Sequence, residues 1–426
     1  MTYPDTYYKR TMSDPKKRQP LAGSQECDTL IVGGGLAGLT TALQLARAGQ
    51  SVVVLEAESV GFGASGRNGG FVSPGFATGN EQIARIAGQD VAKRLYLMSI
   101  EGVDFVRQTI QALGIDDAKP KAGLMSVVRY DDGASLKSYV EQTRRAYGRE
   151  LEFMERDQVR AVLKSDRYFQ AVRDGQSFHM HPLNYLRGVA QEIERLGGHI
   201  FETSPAKGVD LAGAQKRVTT LNGEIRARNV VFTTGGYTGS LHGKLKRSFL
   251  PIATYVMVSE EAPELIATAI RTTDAIGDNR RAGDYYRVVD DGKRLLWGGR
   301  ITTRAASTEA LVRELRAEMV GTYPQLAGLK TELAWSGLMS YARHLMPQIG
   351  RMGPGVWHCT AFGGHGLNTT AIGGKVVAEG ILGETDRYKL FEPFGLVWAG
   401  GLAGLAVAQL TYWKLQAQDW WRERAA

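Results

Sequence analysis

Two cysteines, Cys27 and Cys359, in 426 residues are too few for a disulfide scaffold or a four-thiolate zinc site. No apolar run near the N-terminus is long enough for a secretion signal; residues 2–26 are polar, with Pro4, Pro15 and Pro20 among them. Both absences point to a reduced intracellular chain, expected in the cytoplasm. Charge is not concentrated either: 52 Lys and Arg against 44 Asp and Glu give +8, with Lys16-Lys17-Arg18 as the one run. A nucleic-acid binder gathers its cations on a stripe with aromatics between them, so no nucleic-acid partner is expected. Hydrophobic residues at 43% and charged residues at 23% exclude a disordered chain, a fibrous repeat and a polytopic membrane protein. The length exceeds one ordinary domain of roughly 100–200 residues.

Glycine is in excess: 52 residues, about one in eight against a typical ~7%. Its clusters at 33–38, 61–70, 235–236, 298–299, 363–366 and 400–404 mark backbone that approaches a ligand or takes positive φ. Before the first cluster, Asp28-Thr29-Leu30-Ile31-Val32 reads as a buried parallel strand. Gly33-Gly34-Gly35-Leu36-Ala37-Gly38 then fits G-x-G-x-x-G, 39–48 has helical spacing, and 51–55 is a second strand ending in Glu56-Ala57. In that order each residue has a reason. Gly33 permits the tight turn, Gly35 admits a pyrophosphate to the backbone, and Gly38 lets helix and strand pack closely. The helix N-terminus offers N–H groups to the phosphates, and Glu56 accepts the ribose hydroxyls. The same hexapeptide GGLAGL recurs at 400–405 without a strand before it or a strand and acid after it, and reads as helix packing.

The fingerprint alone does not choose between NAD and FAD. The loop at 61–70 turns the reading to FAD, because Ala64, Ser65, Asn68, Gly69 and Gly70 would present backbone to a second part of an extended ligand. Arg67 there would neutralise a phosphate or sit against the flavin. Thr234-Gly235 ends another strand. Gly363-Gly364-His365-Gly366-Leu367, with Thr369, leads into a helix whose N-terminus suits the flavin carbonyl edge. No second complete dinucleotide fingerprint exists, so the substrate itself is expected to reduce the flavin. His179 and His181 lack acidic partners, and no metal is expected.

The strand-and-glycine turn, the GFGASGRNGG loop at 61–70 and AFGGHGLNTT at 361–370 resemble FAD-dependent amine oxidoreductases of the D-amino-acid oxidase and sarcosine oxidase superfamily. The resemblance implies an α/β fold: a Rossmann-like FAD domain (26–90, 179–245, 343–385) interleaved with an α+β, antiparallel-sheet substrate domain (91–178, 246–342). An N-terminal arm (1–25) and a C-terminal hydrophobic helix region (386–426) flank them. It places Ala206 in the adenine-side wall. The activity implied is hydride loss from the carbon beside an amine nitrogen to FAD, hydrolysis of the imine, and reoxidation by oxygen or another acceptor. A gamma-glutamylated polyamine is one substrate class; an N-methyl or other amino acid, or a membrane-associated electron-relay subunit, is the alternative. His365, Tyr286 and Trp297 are the candidate catalytic or pocket residues, with Tyr285 and Trp335 as further aromatic walls. Departures from the sarcosine oxidase pattern matter as well. No thiol stands near Trp335-Ser336, so FAD is expected to be noncovalent. Asn368 replaces a lysine that holds a substrate carboxylate, and Leu296 replaces a basic residue that promotes the oxygen reaction.

Helical periodicity marks 81–113 and 134–147, His181-Pro182 opens another helix, and 123–128 and 252–259 read as strands. A hairpin is expected around Asp290-Asp291-Gly292. The uncharged stretch 394–413, from Phe394 to Trp413, is expected to be a packing helix, with a peripheral membrane contact as the alternative.

Overall fold

The computed structural model describes residues 3–280, 283–302 and 308–425. Its strands form two sheets. At the centre of the first, Gly23–Val32 lies between Gly223–Phe232 and Val52–Leu55; Val356–Thr360 and His199–Phe201 extend it outward, and all these pairings are parallel. Parallel strands covered on both faces need continuous apolar runs, and Leu30, Ile31, Val32 and 52–55 are all buried. The central strand starts at Gly23, earlier than its apolar run, because Gly223–Phe232 pairs along its whole polar first half. Helices Leu36–Arg47 and Pro182–Arg195 cover this sheet. Leu183, Leu186, Val189, Ala190 and Ile193 of the second are buried on the face that the periodicity marks.

The second sheet runs in the order Thr331–Ala342, Phe249–Ser259, Arg294–Thr302, Tyr285–Val289, Ala275–Asp278, Lys121–Val127, Ala171–His179, Phe71–Val72. Its pairings are antiparallel except between Ala275–Asp278 and Lys121–Val127. Alternation sends Tyr255, Met257, Tyr286, Leu295 and Trp297 into a core behind the sheet. Val256, Tyr285, Leu296 and Trp335 face the first sheet's side. The expected hairpin is present, with Asp290, Asp291 and Gly292 at positive φ.

Four expectations are corrected. Phe71–Val72, inside 26–90, pairs in the second sheet. Gly88, at φ 89, breaks 81–113 into helices Asn80–Ala87 and Gln89–Leu113. The longer one packs not on the second sheet but in the first sheet's core, where Leu95, Val103 and Ile110 meet Leu36, Ala371 and Ile372. Gly102 permits this, since a Cβ there would lie 2.6 Å from the Asn368 carbonyl oxygen. The N-terminal segment is anchored: Tyr8 is fully buried, and its hydroxyl donates to the Asn68 carbonyl at 2.7 Å. Finally, Phe394 is buried in the core with Leu390 and Phe391, and the last helix begins only at Gly401 and runs to Ala425. Among the described residues, no helix is long and apolar enough to cross a membrane.

Candidate active site

A cleft of about 1590 Å³ opens at the carboxyl ends of the first sheet's parallel strands and runs to the face of the second. That is where ligands bind in open α/β sheets. The first glycine turn forms one end. Gly33 takes φ 118, and a Cβ on Gly38 would lie 2.1 Å from the Gly33 carbonyl oxygen, so helix and turn touch. Gly35, Leu36 and Ala37 line the cleft; Gly38 stands behind them. The Leu36 N–H donates to Ser65 Oγ at 3.0 Å. Glu56 accepts from the Gly34 N–H at 2.6 Å and the Glu58 N–H at 2.9 Å, and burial pushes its carboxyl pKa up to about 7. Ala57 and Ala206 line the same end.

The 61–70 loop is the second grip. Asn68 locks it: its amide donates to the Ala64 and Ser65 carbonyls, and its Oδ1 accepts from the Gly70 N–H at 2.8 Å. Arg67 donates to the Tyr237 hydroxyl at 2.6 Å and sits 4.8 Å from the Phe62 ring centre. The Trp335 indole donates to the Arg67 carbonyl at 2.9 Å, so Trp335 holds the loop from beneath. Buried Arg287 donates to the Gly69 carbonyl at 2.8 Å and to Tyr8 Oη at 3.2 Å. Ala64, Ser65, Arg67, Asn68 and Gly69 line the cleft, whereas Gly70 turns away toward Met180 at φ 83.

The third grip is Thr234-Gly235 with 363–367, all lining the cleft. Gly363 and Gly364 are both left-handed, and Gly366 caps helix Leu367–Leu382. His365 Nε2 lies 3.2 and 3.1 Å from the carbonyl oxygens of Ser73 and Pro74. Two acceptors fix the proton on Nε2 and leave Nδ1 as an acceptor, while burial lowers the pKa and keeps the ring neutral. Thr369 does not line the cleft; its buried hydroxyl donates to the His365 carbonyl and holds the turn. Asn368 and Thr370, the latter not singled out from sequence, do line it.

On the second sheet the candidate aromatics are corrected by one residue. Tyr286 and Trp297 are fully buried behind the sheet, stacked with ring centres 4.2 Å apart, and the Tyr286 hydroxyl bonds with those of Tyr168 and Tyr323. Tyr285 faces the cleft instead. Its ring occupies space left by glycines, since a Cβ on Gly298 would lie 2.2 Å from it and one on Gly69 2.7 Å. Gly298, in the 298–299 glycine cluster, stands opposite Tyr285 in the hairpin register. Leu250, Ile252, Thr254, Met339 and Tyr341 complete the floor.

These residues fit FAD. Three glycine-lined grips spread along one cleft, two helix N-termini and a ribose-accepting acid suit an extended dinucleotide. Thr360 Oγ1, buried at the cleft without a hydrogen-bond partner among the described residues, is a free polar contact for it. No group of three metal-ligating side chains exists among the described residues.

A parallel sheet with a glycine turn and an acid-tipped second strand, facing a large antiparallel sheet across one cleft, defines a flavin-dinucleotide oxidoreductase. The chain belongs to the FAD dependent oxidoreductase (DAO) family, whose model matches residues 28–380. It is 32% identical over 388 residues, 91% of each chain, to gamma-glutamylputrescine oxidoreductase of Escherichia coli (strain K12). Its fold is similar to glycine oxidase from Geobacillus kaustophilus, with a TM-score of 0.73 at 17% identity over 88% of this chain and 99% of that one. L-proline dehydrogenase from P. horikoshii gives 0.70 at 20% identity, over 88% and 100%. The protein is an FAD-dependent oxidoreductase. Held at the three grips, FAD would supply the two-electron acceptor, and the chain position, exclusion of water and local charge.

Proposed function

We propose that this enzyme oxidises an extended amine, a gamma-glutamylated polyamine being the favoured class, at the carbon beside a neutral nitrogen. The product imine hydrolyses to a carbonyl compound and a released amine. The cleft supports this reading: its lining continues past the three grips onto Leu250, Ile252, Thr254, Tyr285 and Tyr341 of the second sheet, and its volume of about 1590 Å³ exceeds the roughly 300–1,000 Å³ of an ordinary ligand pocket. The E. coli relative, named for gamma-glutamylputrescine, supports the same class. Tyr285 and Tyr341 offer aromatic faces to an alkylamine, and His365 Nδ1 offers an acceptor. A simple α-amino acid fits less well, because the Asn368 amide is committed to the Ser99 carbonyl at 3.0 Å and no lysine stands there. Leu296, fully buried beside Tyr8 and Trp335, brings no cation to the flavin side, which favours an acceptor other than oxygen. A quinone met at a membrane surface is one such acceptor. Anaerobic mixing with an amine panel tests the proposal: gamma-glutamylputrescine is expected to bleach the flavin band, and reoxidation in air to be slow. No bleaching with any amine would favour an electron-relay role.

FAD attachment is proposed to be noncovalent. Burial pushes the Cys27 thiol up to about 12 and the Cys359 thiol higher still, so neither is a ready thiolate. Acid precipitation is expected to leave a colourless pellet and a yellow supernatant; a yellow pellet would contradict it.

A further inference from the structure

Helix Gly401–Ala425 is apolar on two opposite faces. Gly404, Ala408, Thr411 and Leu415 line the cleft. On the other side Leu402, Leu410, Trp413 and Trp420, separated by eight, three and seven residues, fall within roughly 80° of one another at about 100° per residue and so form one stripe along the helix. Leu402 is 86% exposed, Leu410 61%, Trp413 46% and Trp420 48%, with Trp421 beside the stripe at 70%. Isolated exposed apolar residues are ordinary; a stripe the length of a helix marks a covered surface.

The surroundings say what covers it. At the start of the helix a surface pocket is lined by Lys244, Arg247, Leu396 and Trp398, the last 64% exposed. The Ala399 N–H donates to the Arg247 carbonyl at 2.9 Å and ties the basic turn Gly243–Arg247 to this corner. Lys244, Lys246 and Arg247 have no carboxylate within ion-pair distance among the described residues. Lys414, Arg422 and Arg424 along the helix outnumber Asp419 and Glu423, and Glu423 is turned inward to Arg129 and Arg280 at 3.7 and 4.0 Å. Tryptophans and basic residues flanking an apolar stripe are the chemistry of a helix lying in a lipid headgroup layer.

We propose that this face docks on an anionic membrane surface, with the basic turn on lipid phosphates and the Leu402–Trp420 stripe against the acyl boundary. The contact expected of 394–413 thus moves to the outer face of the last helix, since Phe394 is core. The inference does not depend on which amine is oxidised, and its test reads flavin colour rather than turnover. Holoenzyme is centrifuged with vesicles of phosphatidylglycerol and phosphatidylcholine, or of phosphatidylcholine alone, at low and high salt. Yellow protein is expected to pellet with the anionic vesicles, to stay in solution with the neutral ones, and to dissociate as salt rises. Each basic residue at such a surface is worth about fivefold in binding, so K244E/K246E/R247E is expected to lose on the order of a hundredfold. Leu410→Asp is expected to lose binding with its flavin spectrum unchanged. No pelleting with anionic vesicles at low salt overturns the proposal. So does a wild-type dimer that Leu410→Asp converts to monomer, because a second copy would then be the cover.

Discussion

Gly38→Ala is expected to purify as colourless protein. The added methyl would sit 2.1 Å from the Gly33 carbonyl oxygen, 2.7 Å from Thr233 Oγ1 and 2.9 Å from Ile31 Cγ2. The nearest of these is backbone of the glycine turn, which cannot swing aside as a flexible side chain could. Helix Leu36–Arg47 must move outward, and its N-terminus then leaves the place where the pyrophosphate is held. Overpacking alone costs about 1–3 kcal/mol, and misplacing the anion site adds to it. A drop of at least about a hundredfold in FAD affinity is the expected readout by fluorescence titration. Gly49→Ala serves as the control: nothing lies within 4 Å of its Cβ, so strain at φ 79 destabilises the fold but leaves the colour. Full yellow colour in Gly38→Ala would refute the packing argument.

Lowering pH is expected to weaken FAD binding, although protonation of Glu56 taken by itself stabilises the apoprotein. Burial raises the Glu56 pKa from 4.5 to about 7. The folded apoprotein therefore binds a proton between those values that the unfolded chain does not. This contribution is fully present below pH 4.5 and is lost as pH rises through about 7. Ribose recognition runs the other way, because the ionised carboxylate only accepts hydrogen bonds whereas the acid has lost an acceptor site. FAD affinity should fall by about tenfold per unit below pH 7, since one proton competes with the ligand. Glu56→Gln, which carries no titratable proton, should flatten the pH dependence of FAD affinity. Identical pH profiles for wild type and Glu56→Gln would remove Glu56 from the site.

Much of the cofactor end was legible because its physics is local. Strand, tight turn, helix and acid lie within thirty residues, and Gly34 and Gly38 make their closest contacts inside that unit, with Glu56 and Gly33. The substrate end was not. Tyr285 and Tyr286 alternate across a sheet whose two faces are both covered, one by the aromatic core around Tyr323 and the other by Tyr8 and Trp335. Alternation therefore gives the period but not the side. Helix Gln89–Leu113 shows a similar gap, since an apolar stripe says that a partner exists without naming it. Tyr8 was invisible for a different reason: a polar segment gives no hint that one phenol reaches the Asn68 carbonyl.

The three grips lie near residues 33–38, 61–70 and 363–367, and Arg287 and Trp335 brace the middle one. During synthesis the first two leave the ribosome long before the third. A nascent chain that has shown its whole fingerprint still lacks the strand Val356–Thr360 and the turn after it. Capture of the cofactor by all three grips together therefore follows translation of nearly the entire polypeptide, and a product terminated before Val356 is expected to carry the motif without the pigment.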